Sequence, residues 1–113
     1  MLEGKVTQKL LKELRNKIPS AWICKHSNSY VGGIPDFSIT YRDSTSWWEI
    51  KTDSKVSLLQ AETLKRIGST AHVIIWKPNR WEIQNYLQQF QCFGVGFNIL
   101  VETIIFRCEA LGK

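Results

Sequence analysis

A capped helical stretch set between two strand-like runs is the feature that most constrains this chain. Ser57-Leu58-Leu59-Gln60 has the form of a capping box. In that arrangement the serine at the N-cap accepts from the third helical residue, whose glutamine side chain reaches back to the cap N–H. The helix it opens runs over Leu58–Ile67 and stops at Gly68, the residue type that most easily closes a helix. Trp47-Trp48-Glu49-Ile50-Lys51-Thr52 reads as a strand before it, and Ala71-His72-Val73-Ile74-Ile75-Trp76 as a buried strand after it. A strand, a crossover helix and a second strand go together with a right-handed connection and parallel pairing. The expected fold class is therefore α/β, a central mixed sheet flanked by helices.

The remaining elements extend that frame. A first helix over residues 3–16 stops before Pro19, with Leu2, Val6, Leu10, Leu14 and Ile18 on the core side and Lys5, Lys9 and Lys12 as a basic ridge opposite. Residues 21–26 read as a strand in which Cys24 faces the core and Lys25 points the other way, toward a site. Residues 28–33 form a polar loop. Strands over 37–42 and 47–52 make a hairpin around the polar tetrad Asp43-Ser44-Thr45-Ser46. Beyond Pro78, residues 81–91 are expected to be helical, with Ile83, Leu87 and Phe90 on one stripe. The apolar, β-branched run over 97–106 reads as a strand, and a helix also fits. At 113 residues the chain is long enough for one domain, 1–113, and too short for two.

Several chemistries are disfavoured at once. Cys24, Cys92 and Cys108 are odd in number and lack a Cys-x-x-Cys pair, so with His26 and His72 they do not form a spaced zinc set. Reduced core thiols fit a cytoplasmic protein. No glycine-flanked serine elbow is present, and both histidines sit in apolar strand-like runs. No apolar run approaches the ~20 residues that span a bilayer, and the first 17 residues are a charged amphipathic segment instead of a signal sequence. The expectation is a cytoplasmic protein with no membrane partner. The net charge of +5 favours an anionic partner.

Against that background, Asp36 after Pro35 and the run Glu49-Ile50-Lys51 carry the candidate chemistry. A hairpin centred between Asp43 and Ser44 would set Lys51 opposite Asp36 and Glu49 on the diagonal. Residues i and i+2 of a strand share a face, so Glu49 and Lys51 project together while Ile50 enters the opposite layer. Two carboxylates and an ammonium then converge. Magnesium takes one or two carboxylates plus water and phosphate oxygens, and a metal so held polarises a phosphoryl oxygen and supplies hydroxide. Lys51 would orient the water or neutralise developing charge. The competing reading is structural: Asp is a common turn residue, and Glu-x-Lys is an ordinary solvated strand face.

Gly33-Ile34-Pro35-Asp36, the hairpin, Glu49-Ile50-Lys51 and the helical Gln60 resemble the PD-(D/E)xK nuclease superfamily, in particular its VRR-Nuc branch, which is similar in layout to Holliday junction resolvases. The resemblance covers about residues 3–76. It implies a restriction-endonuclease-like core and magnesium- or manganese-dependent hydrolysis of branched DNA, with flap or restriction-type cleavage, or non-catalytic binding, as alternatives. Carried over by position, Asp36, Glu49, Lys51 and Gln60 are the catalytic residues, and Glu3, Asp36, Glu49 and the backbone carbonyl of Ile50 hold the metal. Two departures stand out: Leu64 occupies a position where many members have tryptophan, and the chain after Pro78 has no counterpart.

Each supporting residue also has a plainer role. Glu3 suits the positive end of a helix dipole as well as a metal, and Gln60 suits the cap as well as the site. Lys5, Lys9, Lys12, Lys25 and Lys55 are candidate phosphate contacts or simply solvated lysines. Trp47, sharing the Glu49 face, is the tryptophan placed to meet a base, whereas Trp48 and Trp76 fit the core. A junction has two opposed strands to cut, which implies a homodimer, and Phe93, Phe97, Ile99, Val101, Ile104 and Phe106 form a candidate interface or a core.

Overall fold

A computed structural model of the protein describes residues 3–26, 32–52, 56–77, 80–85 and 90–111, with the backbone alone for residues 3, 85, 90–93 and 95. The elements follow in the order α1 (Glu3–Lys17), β1 (Trp22–Lys25), β2 (Phe37–Tyr41), β3 (Ser44–Thr52), α2 (Leu58–Ile67), β4 (Ala71–Lys77), β5 (Arg80–Asn85), β6 (Phe90–Val95) and α3 (Phe97–Leu111). The six strands make one mixed sheet in sequence order. Every neighbouring pair is antiparallel except β3 and β4, which α2 connects in parallel. Ser57 and Gln60 form the expected capping box, and Gly68 closes α2 at φ 94°.

Two layers cover the sheet. On one face, Phe37, Ile39, Trp48, Ile50, Ile74 and Ile83 pack against Val6, Leu10 and Leu14 of α1 and Leu100, Val101, Ile104 and Cys108 of α3. Leu10, Leu14, Leu100 and Ile104 are fully buried, each removing apolar surface worth roughly 1.5–3 kcal/mol. The other face has a smaller cluster, Leu64 of α2 on Ala71 and Val73. Leu64 is therefore a core residue of the crossover.

The hairpin turns earlier than the polar tetrad suggests. Arg42 and Asp43 both have positive φ, 52° and 66°, the backbone of a two-residue hairpin loop whose twist suits the flanking strands. Tyr41 pairs with Ser44, so Ser44, Thr45 and Ser46 belong to β3. Their hydroxyls all find partners, Ser44 donating to the Leu111 carbonyl of α3. Thr45 Oγ1 lies 2.8 Å from Thr40 Oγ1, and buried Ser46 accepts from Trp48 Nε1 at 2.9 Å. The register places Phe37 opposite Trp48, so the next pair outward is Asp36 with Glu49, not Asp36 with Lys51. Because the slip is even, all three side chains keep the expected face.

β1 corrects a second expectation. Ile23 pairs with Ile39 and packs on the main core, whereas Cys24 pairs with Ser38 on the opposite face. Lys25, paired with buried Phe37, is consequently phased toward the α1 and α3 layer and away from the site.

The last third reverses the expected elements. The described residues of the expected helix over 81–91 are strand instead, 81–85 in β5 and 90–91 in β6, and 86–89 lie outside the described residues. Trp81 and Ile83 face the main core while Glu82 and Gln84 alternate with them, a period of two that overrides the looser Ile83-Leu87-Phe90 spacing. Residues 97–111 form α3 in place of a strand, with Leu100, Val101, Ile104 and Cys108 buried at helical spacing. Val101 and Ile104 are thus core, and of the candidate interface residues only Ile99 and Phe106 are shown exposed. No helix among the described residues is long and apolar enough to cross a membrane.

Candidate active site

Asp36 sits where the chain enters β2, immediately after buried Pro35. The backbone N–H of His26 donates to the Asp36 carbonyl at 2.8 Å, extending the β1–β2 ladder by one pair. The Ile50 N–H donates to Asp36 Oδ2, also at 2.8 Å. The carboxylate is therefore tied across to β3 beside Glu49. Ile50 divides between the layers: its amide serves Asp36 while its side chain is fully buried in the main core.

Glu49 is 4% exposed. A buried carboxylate is costly unless paired and hydrogen-bonded, and two neighbours do this at its Oε1. Gln60 Nε2 donates to Glu49 Oε1 at 3.2 Å, and Lys51 Nζ lies 3.8 Å from the same oxygen. The two readings of Gln60 are both realised, because its amide divides them. Its Oε1 accepts from the Ser57 N–H at 3.1 Å as part of the cap, while its nitrogen serves Glu49.

The approach of α2 depends on Gly33. This residue has φ +76°, and a Cβ there would lie 2.8 Å from the Leu59 carbonyl oxygen and 2.9 Å from Thr63 Oγ1. Only glycine suits both the backbone and the space. The turn before Pro35 and Asp36 thereby lies against the helix that carries Gln60.

Asp36, Glu49, Lys51 and Gln60 thus come together from β2, β3 and α2. The other candidates do not all join them. Glu3 opens α1, and its side chain lies outside the described residues, as does Lys55 altogether. Lys5, Lys9 and Lys12 are exposed on α1, which covers the opposite face of the sheet from α2. Lys9 Nζ lies 4.7 Å from the ring centre of Phe97. Trp47 shares the Glu49 face, while Trp48, Trp76 and Trp81 pack in the main core. The polar loop expected over 28–33 is described only from Gly32 onward.

His26 is the site residue that sequence patterning missed. Its ring stacks on Trp47 with centroids 5.0 Å apart and planes inclined by 20°, and its Nε2 lies 2.9 Å from Ser38 Oγ. Partial burial pushes its pKa below the ordinary histidine value. The residue looks local in the sequence, within Cys24-Lys25-His26, and only the antiparallel pairing of β1 with β2 brings it beside Asp36. His72 is different. It stacks on Trp48 at 4.2 Å within the main core, where burial first and Arg107 second lower its pKa to about 4.

Among the described residues, no group of three or more His, Cys, Asp and Glu side chains is arranged to hold a metal ion. Two cross-strand carboxylates are nevertheless what magnesium commonly asks of a protein, the remaining positions going to water and phosphate oxygens. The donor set fits a hard divalent cation shared with a substrate and does not fit a closed all-protein cage. No protein-family model matches the chain, and no curated protein matches it.

Proposed function

We propose that the chain is a magnesium- or manganese-dependent endodeoxyribonuclease built on a restriction-endonuclease-like core of the PD-(D/E)xK, VRR-Nuc type, and that it cuts branched DNA. One observation carries this reading: Asp36, Glu49, Lys51 and Gln60 converge on one sheet face, with Glu49 buried and in contact with both Lys51 and Gln60. The order of a helix, the proline-aspartate turn, the glutamate and lysine strand and the glutamine helix supports it too.

Asp36 and Glu49 would hold the metal, with the Ile50 carbonyl and Glu3 as further donors. When bound, the metal polarises a phosphoryl oxygen and lowers the pKa of a bound water. The protein's own groups do the positioning. Gln60 fixes the Glu49 carboxylate, the Ile50 amide fixes that of Asp36, and Lys51 presents its ammonium to the attacking water and to charge developing on the phosphate. A general phosphate partner agrees with the net charge of +5.

Two opposed strands in a four-way junction call for two active sites, and a homodimer provides them. Ile99 and Phe106, both exposed and two helical turns apart on α3, are the surface for that pairing. The test is a panel of labelled single-stranded, duplex, flap, forked and four-way DNAs incubated with magnesium, manganese or EDTA. Metal-dependent paired nicks in the four-way substrate are expected. Preferred flap cleavage by a monomer selects a flap nuclease instead, and binding without cleavage of any substrate selects a non-catalytic module.

A further inference from the structure

A second charged cluster lies on the same sheet face, outside the proposed catalytic group. Lys51 of β3 pairs with Ile75 of β4, and Ile75 pairs with Glu82 of β5. Cross-strand partners share a face, so Glu82 projects to the Lys51 side about 10 Å away, two strand spacings. Lys77 and Arg80 pair with each other in the next row on that face. Both cations meet one oxygen: Glu82 Oε1 is 3.3 Å from Lys77 Nζ and 3.2 Å from Arg80 Nη2.

Burial separates this cluster from an ordinary surface salt bridge. The Glu82 side chain is 7% exposed, whereas those of Lys77 and Arg80 are 37% and 50% exposed. A carboxylate removed from water needs charged partners, and here two cations surround one anion and leave a surplus positive charge at the surface. Among the described residues, Glu82 is the ion-pair partner found for the Lys77 and Arg80 side chains. An ammonium has three donors and a guanidinium five, so the contact with one carboxylate oxygen takes up only part of what each half-exposed side chain can donate. Glu82 anchors both side chains beforehand, which reduces the ordering cost of binding an anion.

We infer that Lys77 and Arg80, seated on buried Glu82, form a phosphate-binding subsite that holds the nucleic-acid backbone a few nucleotides from the Asp36 and Glu49 centre. The inference rests on the nuclease reading for its ligand. The spacing suits that ligand, because successive nucleotides of a duplex strand rise by about 3.4 Å. Arg80 takes two phosphate oxygens through its planar fork, while Lys77 adds a point charge. Sequence preference is not expected from such contacts.

The test measures DNA binding apart from cleavage, using a labelled duplex in EDTA over a salt series. Lys77→Gln/Arg80→Gln leaves Glu82 buried without its cations and risks the fold, so the decisive variant is Glu82→Gln/Lys77→Gln/Arg80→Gln, checked by thermal melting. It is expected to bind about tenfold more weakly at moderate salt, with the log–log salt slope shallower by about 1–2. A folded triple variant with wild-type affinity and slope overturns the subsite, as does wild-type protein that shows no salt-dependent DNA binding. The two proposals fail separately. If wild-type protein cleaves no substrate while the triple variant still flattens the slope, the nuclease reading falls and the subsite stands. If wild-type protein cleaves and the triple variant keeps the wild-type slope, the subsite alone falls.

Discussion

Acid should destabilise this fold through His72 before general carboxylate protonation does, and a single substitution should remove the effect. His72 is 2% exposed, and neither ring nitrogen has a hydrogen-bond partner among the described residues. Burial and the neighbouring Arg107 lower its pKa from 6.5 to about 4. A lowered folded-state value means that the unfolded chain takes up the proton first. The associated stability is fully present above pH 6.5 and is lost progressively as pH falls toward about 4. Between about pH 7.5 and about pH 4.5 the loss amounts to roughly 2–3 kcal/mol, at ~1.36 kcal/mol per pKa unit. Urea unfolding at those two pH values measures it. His72→Leu should remove this increment while changing neutral-pH stability little, because it deletes two unpartnered nitrogens along with the Trp48 stack. Carboxylates titrate in both proteins, so the difference between them isolates His72. Equal acid losses in wild type and His72→Leu would refute a neutral, buried histidine.

Gly33→Ala should cost about 1–3 kcal/mol by chemical denaturation, through its positive φ and the close Leu59 carbonyl, and should lower cleavage by displacing α2. Gln60→Glu keeps a capping-box acceptor but replaces the donor to Glu49 with a like charge, so its activity should fall more than the stability lost at the cap explains. Gln60→Ala should lose both functions, including about 1 kcal/mol from the cap; unchanged cleavage with reduced melting temperature would leave Gln60 a capping residue alone. Ile104→Ala should cost about 2–5 kcal/mol, whereas Phe106→Ala should leave monomer stability nearly unchanged, which checks that α3 buries one side and presents the other.

How far the sequence could be read depended on whether its signals were local. The α2 cap, Gly68 and the flanking strands are short-range features, and together they led to a parallel β3–β4 pair. The Glu49 and Lys51 face also survived the wrong hairpin centre, since an even register slip preserves side-chain alternation. Arg42 and Asp43 carry no glycine signal for their positive-φ turn, whereas the serine and threonine residues after them have the composition of a loop. Their partners come from tertiary placement: the Leu111 carbonyl of α3 for Ser44, Thr40 of β2 for Thr45 and the Trp48 indole for Ser46. In the last third, β-branched and aromatic residues concealed α3, and an accidental helical spacing concealed the β5–β6 hairpin. Long-range pairing likewise put His26 beside Asp36 and set Glu82 under Lys77 and Arg80, relations that no local pattern contains.

The central claim is tested most directly by the initial rate of cleavage of one labelled four-way DNA, measured for the wild-type chain with magnesium or EDTA and for Asp36→Asn, Glu49→Gln and Lys51→Ala with magnesium. The account predicts cleavage by wild type with magnesium only, and loss of most of it in each variant while DNA affinity stays within about tenfold, ~1.4 kcal/mol. Undiminished cleavage in EDTA, or full activity in any of the three variants, would contradict it.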